Sequence, residues 1–272
     1  MPIADQFEYD RAAPPDLRPI AQAESGGVAE RLFSYRAPGG ERRVATLIRP
    51  AAAGSYAAIL FVHWSEPEAH DSNRTQFEAE ARALARRGAI ALLVETMWSD
   101  RDWFFKRTQG DDIGNSVRQV IELRQALDLL LAEPGADPGR LAYVGHDFGA
   151  MYGVLMGAAD RRPACYALMA GTPRFPDWYL YYPRLEEAPR AAFAASMAPY
   201  DPIDHVASLA PAPLLFQFGT DDPHVPRARA EAFFAAAGAP KQLAWYECGH
   251  ALNERARADR EAWLAARLQL AE

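Results

Sequence analysis

Short, continuous runs of apolar residues alternate along this chain with longer stretches whose apolar positions recur every three or four residues. The first kind reads as strands buried on both faces, the second as amphipathic helices. Continuous runs fall at 57–63, 89–95, 140–145, 164–170, 213–219 and 242–247. Helical periodicity falls at 74–87, with Phe77, Ala81 and Leu84 on one face, and most clearly at 116–131, with Val117, Val120, Ile121, Leu127 and Leu131. Further helices are predicted at 148–159, 187–197, 227–237 and 257–270. Upstream, strand-like runs at 28–36 and 42–49 flank Ala37-Pro38-Gly39-Gly40, a hairpin-type turn. The alternation predicts an α/β fold, a mostly parallel sheet flanked by helices.

Two stretches depart from it. Residues 1–27 are polar and rich in Pro and Gly, and read as an N-terminal arm lying over a single domain at 28–270. Residues 172–209 interrupt the alternation with a segment rich in aromatics and Pro. Placed between two core strands, that segment reads as a small lid insert over the carboxyl ends of the strands, where open α/β sheets bind ligands.

Composition narrows the function. The chain has 272 residues, half of them hydrophobic, and a net charge of −7 with no long basic stretch. A nucleic acid or an anionic membrane surface is therefore an unsuitable partner. No apolar run approaches the ~20 residues of a membrane span, and Met1-Pro2-Ile3-Ala4-Asp5 has no signal-peptide character. Two cysteines, Cys165 and Cys248, make no disulfide framework. The expectation is a soluble, cytoplasmic protein. No His-x-x-x-His pair and no Gly-x-Gly-x-x-Gly occurs, so neither a metal nor another cofactor is implied.

The strongest local signal is Gly145-His146-Asp147-Phe148-Gly149, set between a predicted strand and a predicted helix. Its glycines and its context fit the strand–turn–helix elbow that carries a nucleophile, with Asp147 at the centre. At a helix N-terminus the dipole favours the ionised carboxylate, which can attack a saturated carbon. Gly219-Thr220-Asp221-Asp222-Pro223-His224 follows a later strand, and Cys248-Gly249-His250 follows the last. Nucleophile, acid and histidine thus come in the chain order of the α/β-hydrolase triad, each just after a strand end.

On these motifs, and on the strand ending Phe61-Val62-His63-Trp64, residues 28–270 resemble the α/β hydrolases. The scaffold resembles the dienelactone hydrolase and acetyl-esterase branch. The elbow, with Asp in place of Ser, is similar to that of epoxide hydrolases and haloalkane dehalogenases. The resemblance implies Asp147 as nucleophile, His250 as the base that activates water, and Asp222 as the acid that orients it. Asp222 is favoured over its neighbour Asp221 because the acid in relatives stands three residues after the strand-ending glycine, here Gly219. The oxyanion hole would use the backbone N–H groups of Phe148 and Trp64, although relatives usually carry His-Gly where this chain has His63-Trp64. His63 itself reads as structural.

The implied activity is cofactor-independent hydrolysis through a covalent alkyl ester on Asp147, with epoxide opening the leading reaction. Lid tyrosines serve the epoxide oxygen in relatives, and Tyr179, Tyr181 and Tyr182 are the candidates here. Trp178 and Trp98 are candidate pocket walls for a small apolar or aromatic molecule. Dehalogenases hold halide with indole N–H groups, often from a Trp that follows the nucleophile. Phe148 occupies that position, which tips the expectation towards epoxides. Organohalide hydrolysis, ester or lactone hydrolysis of dienelactone hydrolase type, and a non-catalytic binding role are the alternatives.

Overall fold

In the computed structural model, which describes residues 3–66, 68–69, 71 and 73–271, the continuous apolar runs are inner strands of one sheet. Strand β4 (Tyr56–Val62) shows why they do not alternate: Ala58, Leu60 and Val62 enter one hydrophobic cluster, and Ala57, Ile59 and Phe61 enter a second on the opposite face. The other strands are β1 (Arg18–Ser25), β2 (Val28–Arg36), β3 (Arg42–Pro50), β5 (Ala89–Val94), β6 (Ala136–His146), β7 (Cys165–Met169), β8 (Leu214–Gly219) and β9 (Lys241–Tyr246). They lie in the order β1-β2-β3-β5-β4-β6-β7-β8-β9. Pairing is antiparallel from β1 to β5 and parallel from β5 through β9.

Helices α1 (Glu78–Arg86), α2 (Trp103–Lys106), α3 (Asp112–Leu131), α4 (Phe148–Ala159), α5 (Pro176–Tyr179), α6 (Glu187–Met197), α7 (Pro202–His205), α8 (Arg227–Ala236) and α9 (Glu254–Leu268) complete the chain. Apolar residues of α3, α4 and α8 join the first cluster, and those of α1 and α9 join the second, so both faces of the sheet are covered. Helix α9 begins earlier than its apolar periodicity because the Asn253 side chain accepts the Ala256 N–H at 3.0 Å and caps it.

The arm differs from its expected form. Residues 18–25 are the edge strand β1, exposed along its whole length and held to β2 by the backbone ladder. A strand with no buried face leaves no apolar pattern to read. Within 172–209, Arg107 fixes the chain from below. Its buried guanidinium pairs with Asp112 and donates to the carbonyl oxygens of Tyr179 and Tyr182. Further on, the Asp201 carboxylate accepts the Phe175 N–H at 2.9 Å and an Arg174 N–H at 3.1 Å.

Candidate active site

Three loops at the carboxyl ends of β6, β8 and β9 converge. The first turns sharply from β6 into α4. Asp147 sits there with φ 54° and ψ −115°, a conformation costly for a residue with a Cβ. The surroundings enforce it: the Asp147 N–H donates to the Met169 carbonyl at 2.8 Å, and the Tyr143 hydroxyl donates to the Gly149 carbonyl at 2.6 Å. Glycine is required on both sides. A Cβ at Gly145 would lie 2.3 Å from the Gly149 oxygen, and one at Gly149 would lie 2.3 Å from the Val62 oxygen.

Asp222, on the loop after β8, accepts the backbone N–H groups of His224 and Val225 on Oδ1, at 2.7 and 3.1 Å. Its Oδ2 accepts Nδ1–H of His250 at 2.8 Å. Neighbouring Asp221 is exposed and bonded to the Thr220 hydroxyl. With Nδ1 committed to Asp222, the other nitrogen of His250, Nε2, faces Asp147 and stands 3.9 Å from Oδ2. Neither Asp147 Oδ1 nor His250 Nε2 has a hydrogen-bond partner, though both are buried. Polar atoms left in that condition are costly unless something is to be bound between them.

The electrostatics follow from burial and from the pairing of charges. Burial raises the Asp147 carboxyl above its ordinary range, against the pull of His250. Burial also opposes the His250 imidazolium, but Asp147 and Asp222 outweigh it and raise this histidine to about 9. For Asp222, burial is overcome by the bond and charge of His250, and its carboxyl is held below the usual range. The two carboxylates therefore favour the charged form of His250, and His250 favours the charged form of each.

A polar chain holds these loops together. The Trp64 N–H donates to Gln76 Oε1 at 3.2 Å, and Gln76 Nε2 donates to His146 Nδ1 at 2.6 Å. His146 Nε2–H then donates to the backbone carbonyl of His250 at 2.9 Å. Both His146 nitrogens are committed in its neutral form, and burial drives its pKa well below the ordinary value. The Trp64 ring stacks on His146, with centroids 5.3 Å apart and planes at 19°. Gln76 was not among the expected site residues. It lies in a stretch read as ordinary amphipathic helix, and nothing in its spacing marks it.

Asp147 and His250 open into a cavity of about 530 Å³ walled mainly by aromatics, among them Trp64, Phe104, Phe105, Phe148, Trp178 and Tyr181. Several expected residues lie elsewhere. Tyr179 is fully buried and its hydroxyl is bonded to that of Tyr152 at 2.5 Å, so it does not line the cavity. Tyr182 is 45% exposed and packs edge-on against Phe105 outside the wall. Trp98 is buried beneath the wall, donating Nε1–H to the His63 carbonyl at 3.0 Å. Arg107 holds the carbonyls of Tyr179 and Tyr182, while Trp178 and Tyr181 face the cavity. The Trp64 N–H, expected as a free oxyanion donor, is already engaged by Gln76. His63 is structural, bonded to the Ser99 hydroxyl at 2.9 Å, with burial lowering its pKa to about 4.

Among the described residues no group of three or more His, Cys, Asp or Glu is arranged to hold a metal ion, and no helix is long and apolar enough to cross a membrane.

A predominantly parallel sheet covered by helices, with an elbow after β6 and the acid and histidine loops after β8 and β9, is the α/β-hydrolase fold. Solved structures with this fold superpose over most of the chain. An acetyl xylan esterase from Paenibacillus sp. R4 is similar with TM-score 0.75 and 14% identity, over 97% of this chain and 90% of its own. A cold-adapted esterase from an Arctic intertidal metagenomic library gives TM-score 0.68 and 19% identity, over 91% and 97%. A protein of dienelactone hydrolase type from Klebsiella pneumoniae gives 0.65 and 18%, over 89% and 98%. No family model matches the sequence, and no curated protein matches it either.

Proposed function

We propose that the protein is a cofactor-independent, cytoplasmic hydrolase that works through a covalent ester on Asp147 and opens epoxides of small apolar or aromatic molecules. The observation that carries this reading is the buried Asp147 carboxylate on a strained elbow, 3.9 Å from the free nitrogen of His250. In the first step an Asp147 oxygen attacks a saturated carbon of the epoxide, an alkyl ester forms, and the ring C–O bond breaks. Esterification removes one of the two carboxylates that raise His250, so its pKa falls, the ring gives up its proton to solvent, and the neutral imidazole serves as base in the second step. His250 then takes a proton from water, the hydroxide attacks the ester carbonyl, and the diol departs. Asp222 orients the imidazole and balances its charge throughout.

Ester or lactone hydrolysis is the second reading, favoured by the fold's likeness to an acetyl xylan esterase and to a protein of dienelactone hydrolase type. There Asp147 would pass through an anhydride or act as a base. A single turnover of styrene oxide by excess protein in 18O-labelled water tests between them. The alkyl ester requires the first diol to contain oxygen from Asp147 and so to be unlabelled. Label in the first turnover would sink the proposal.

A further inference from the structure

Opening an epoxide leaves an alkoxide, which needs a hydrogen-bond donor and a proton. Two of the three tyrosines suited to that role are outside the cavity, and the third, Tyr181, is 49% exposed. Tyr181 lines the cavity beside two other rings, 5.6 Å from Trp178 and 6.4 Å from His224 by centroids. Trp178 and His224 also line the cavity, and both touch the His250 ring, with centroids at 5.6 and 5.3 Å. Trp178 Nε1 is buried and has no hydrogen-bond partner, a donor the fold itself does not use. Trp64 also borders His250, at 4.9 Å, but its ring is stacked flat on His146.

His224 is placed by the same carboxylate that orients His250. Asp222 Oδ1 accepts its backbone N–H at 2.7 Å, so one side chain holds the His224 main chain through Oδ1 and the His250 ring through Oδ2. The ring of His224 is half-buried and keeps a route to solvent. Imidazole is the side chain suited to exchanging a proton near neutrality.

We infer that Trp178 and His224 together serve the leaving oxygen of the epoxide, Trp178 as hydrogen-bond donor and His224 as the acid that protonates it. The inference rests on the Asp147 ester reading and deepens it. As the Asp147 oxygen forms its bond to carbon, the ring C–O bond breaks and its electron pair stays on oxygen. That oxygen takes the proton of the His224 imidazolium, giving a hydroxyalkyl ester and neutral His224. Hydrolysis of the ester consumes one water and releases one proton when Asp147 regains its carboxylate. His224 is reprotonated from solvent, so the sum is epoxide plus water to diol.

The test uses the His250→Gln protein, in which the ester accumulates and its formation with styrene oxide is followed by intact mass. Adding His224→Phe is expected to lower the saturating rate of adduct formation about 100-fold, with the half-saturating concentration moved less than about threefold. Adding Trp178→Phe is expected to lower the rate about tenfold. An unchanged rate in the His224→Phe protein, or a shift confined to the half-saturating concentration, overturns the acid assignment. An unchanged rate in the Trp178→Phe protein overturns the donor assignment. If His250→Gln alone forms no adduct, the Asp147 reading itself fails, an outcome distinct from the other two.

Discussion

His146 donates from Nε2 to the main-chain carbonyl of His250 at 2.9 Å, so the residue preceding the elbow aspartate holds the loop that carries the facing imidazole. Its other nitrogen accepts from Gln76, which also receives the Trp64 N–H. Three loops separated in sequence are thereby set relative to one another by one buried ring.

That arrangement predicts an effect of His146→Phe on stability and on rate together. The His250 carbonyl and the Gln76 amide would both lose a buried partner, at a cost of about 1–3 kcal/mol each. Denaturant unfolding should show a loss within the sum of those values. Turnover should fall while His146→Gln, which can donate to the carbonyl, recovers part of it. An unfolding midpoint equal to that of the wild type would remove the clamp from the account.

The charge balance around His250 makes a prediction about pH. Its pKa is raised to about 9 by Asp147 and Asp222 acting against burial. The folded value lies above the unfolded one, so its contribution to stability is fully present below about 6.5 and is lost as pH rises through about 9. Replacing Asp147 by Asn removes one of the two carboxylates, so the His250 pKa should fall, and the loss of stability, starting from the same pH, should be smaller and complete at lower pH. An NMR titration of the His250 ring in both proteins measures the shift. A pKa unmoved by Asp147→Asn would show that Asp222 alone sets it.

Arg107 predicts a change in the cavity's wall. Arg107→Ala leaves Asp112 buried without its cation and the Tyr179 and Tyr182 carbonyls without their donor. Breaking a buried pair from one side costs roughly 3–5 kcal/mol. Limited proteolysis should then cut first around residues 179–186, and Arg107→Lys, which lacks the fork that reaches both carbonyls, should not restore resistance. Cleavage elsewhere first, with 179–186 still protected, would assign the anchoring to other contacts.

The positions of Asp147, Asp222 and His250 at strand ends were legible because each follows an apolar run closed by a glycine-containing turn, and the geometry brings the three loops to one rim. Gln76 was not legible, since a glutamine on a polar helix approach looks like any solvated residue until His146 is known to lie beneath it. That Tyr181 lines the cavity while Tyr179 and Tyr182 do not is illegible in the sequence for a related reason. Adjacent aromatics in 178–182 are equivalent in sequence, and it is contacts from elsewhere in the chain, among them the Arg107 tether and the Tyr152–Tyr179 hydroxyl bond, that distinguish them. Strand β1 leaves no mark in the sequence because hydrogen bonds to β2, rather than burial, hold it.

That outermost strand also bears on how copies of the protein meet one another. An open sheet edge is a template for a further strand. Here it carries Pro19, which has no N–H to offer, and its register with β2 slips between Pro19 and Ala21. A neighbouring chain attempting to extend the sheet would find neither an unbroken row of donors nor a straight rim. With Leu17 and Ile20 about half exposed beside it, the interrupted backbone disfavours the addition of a further strand along this edge.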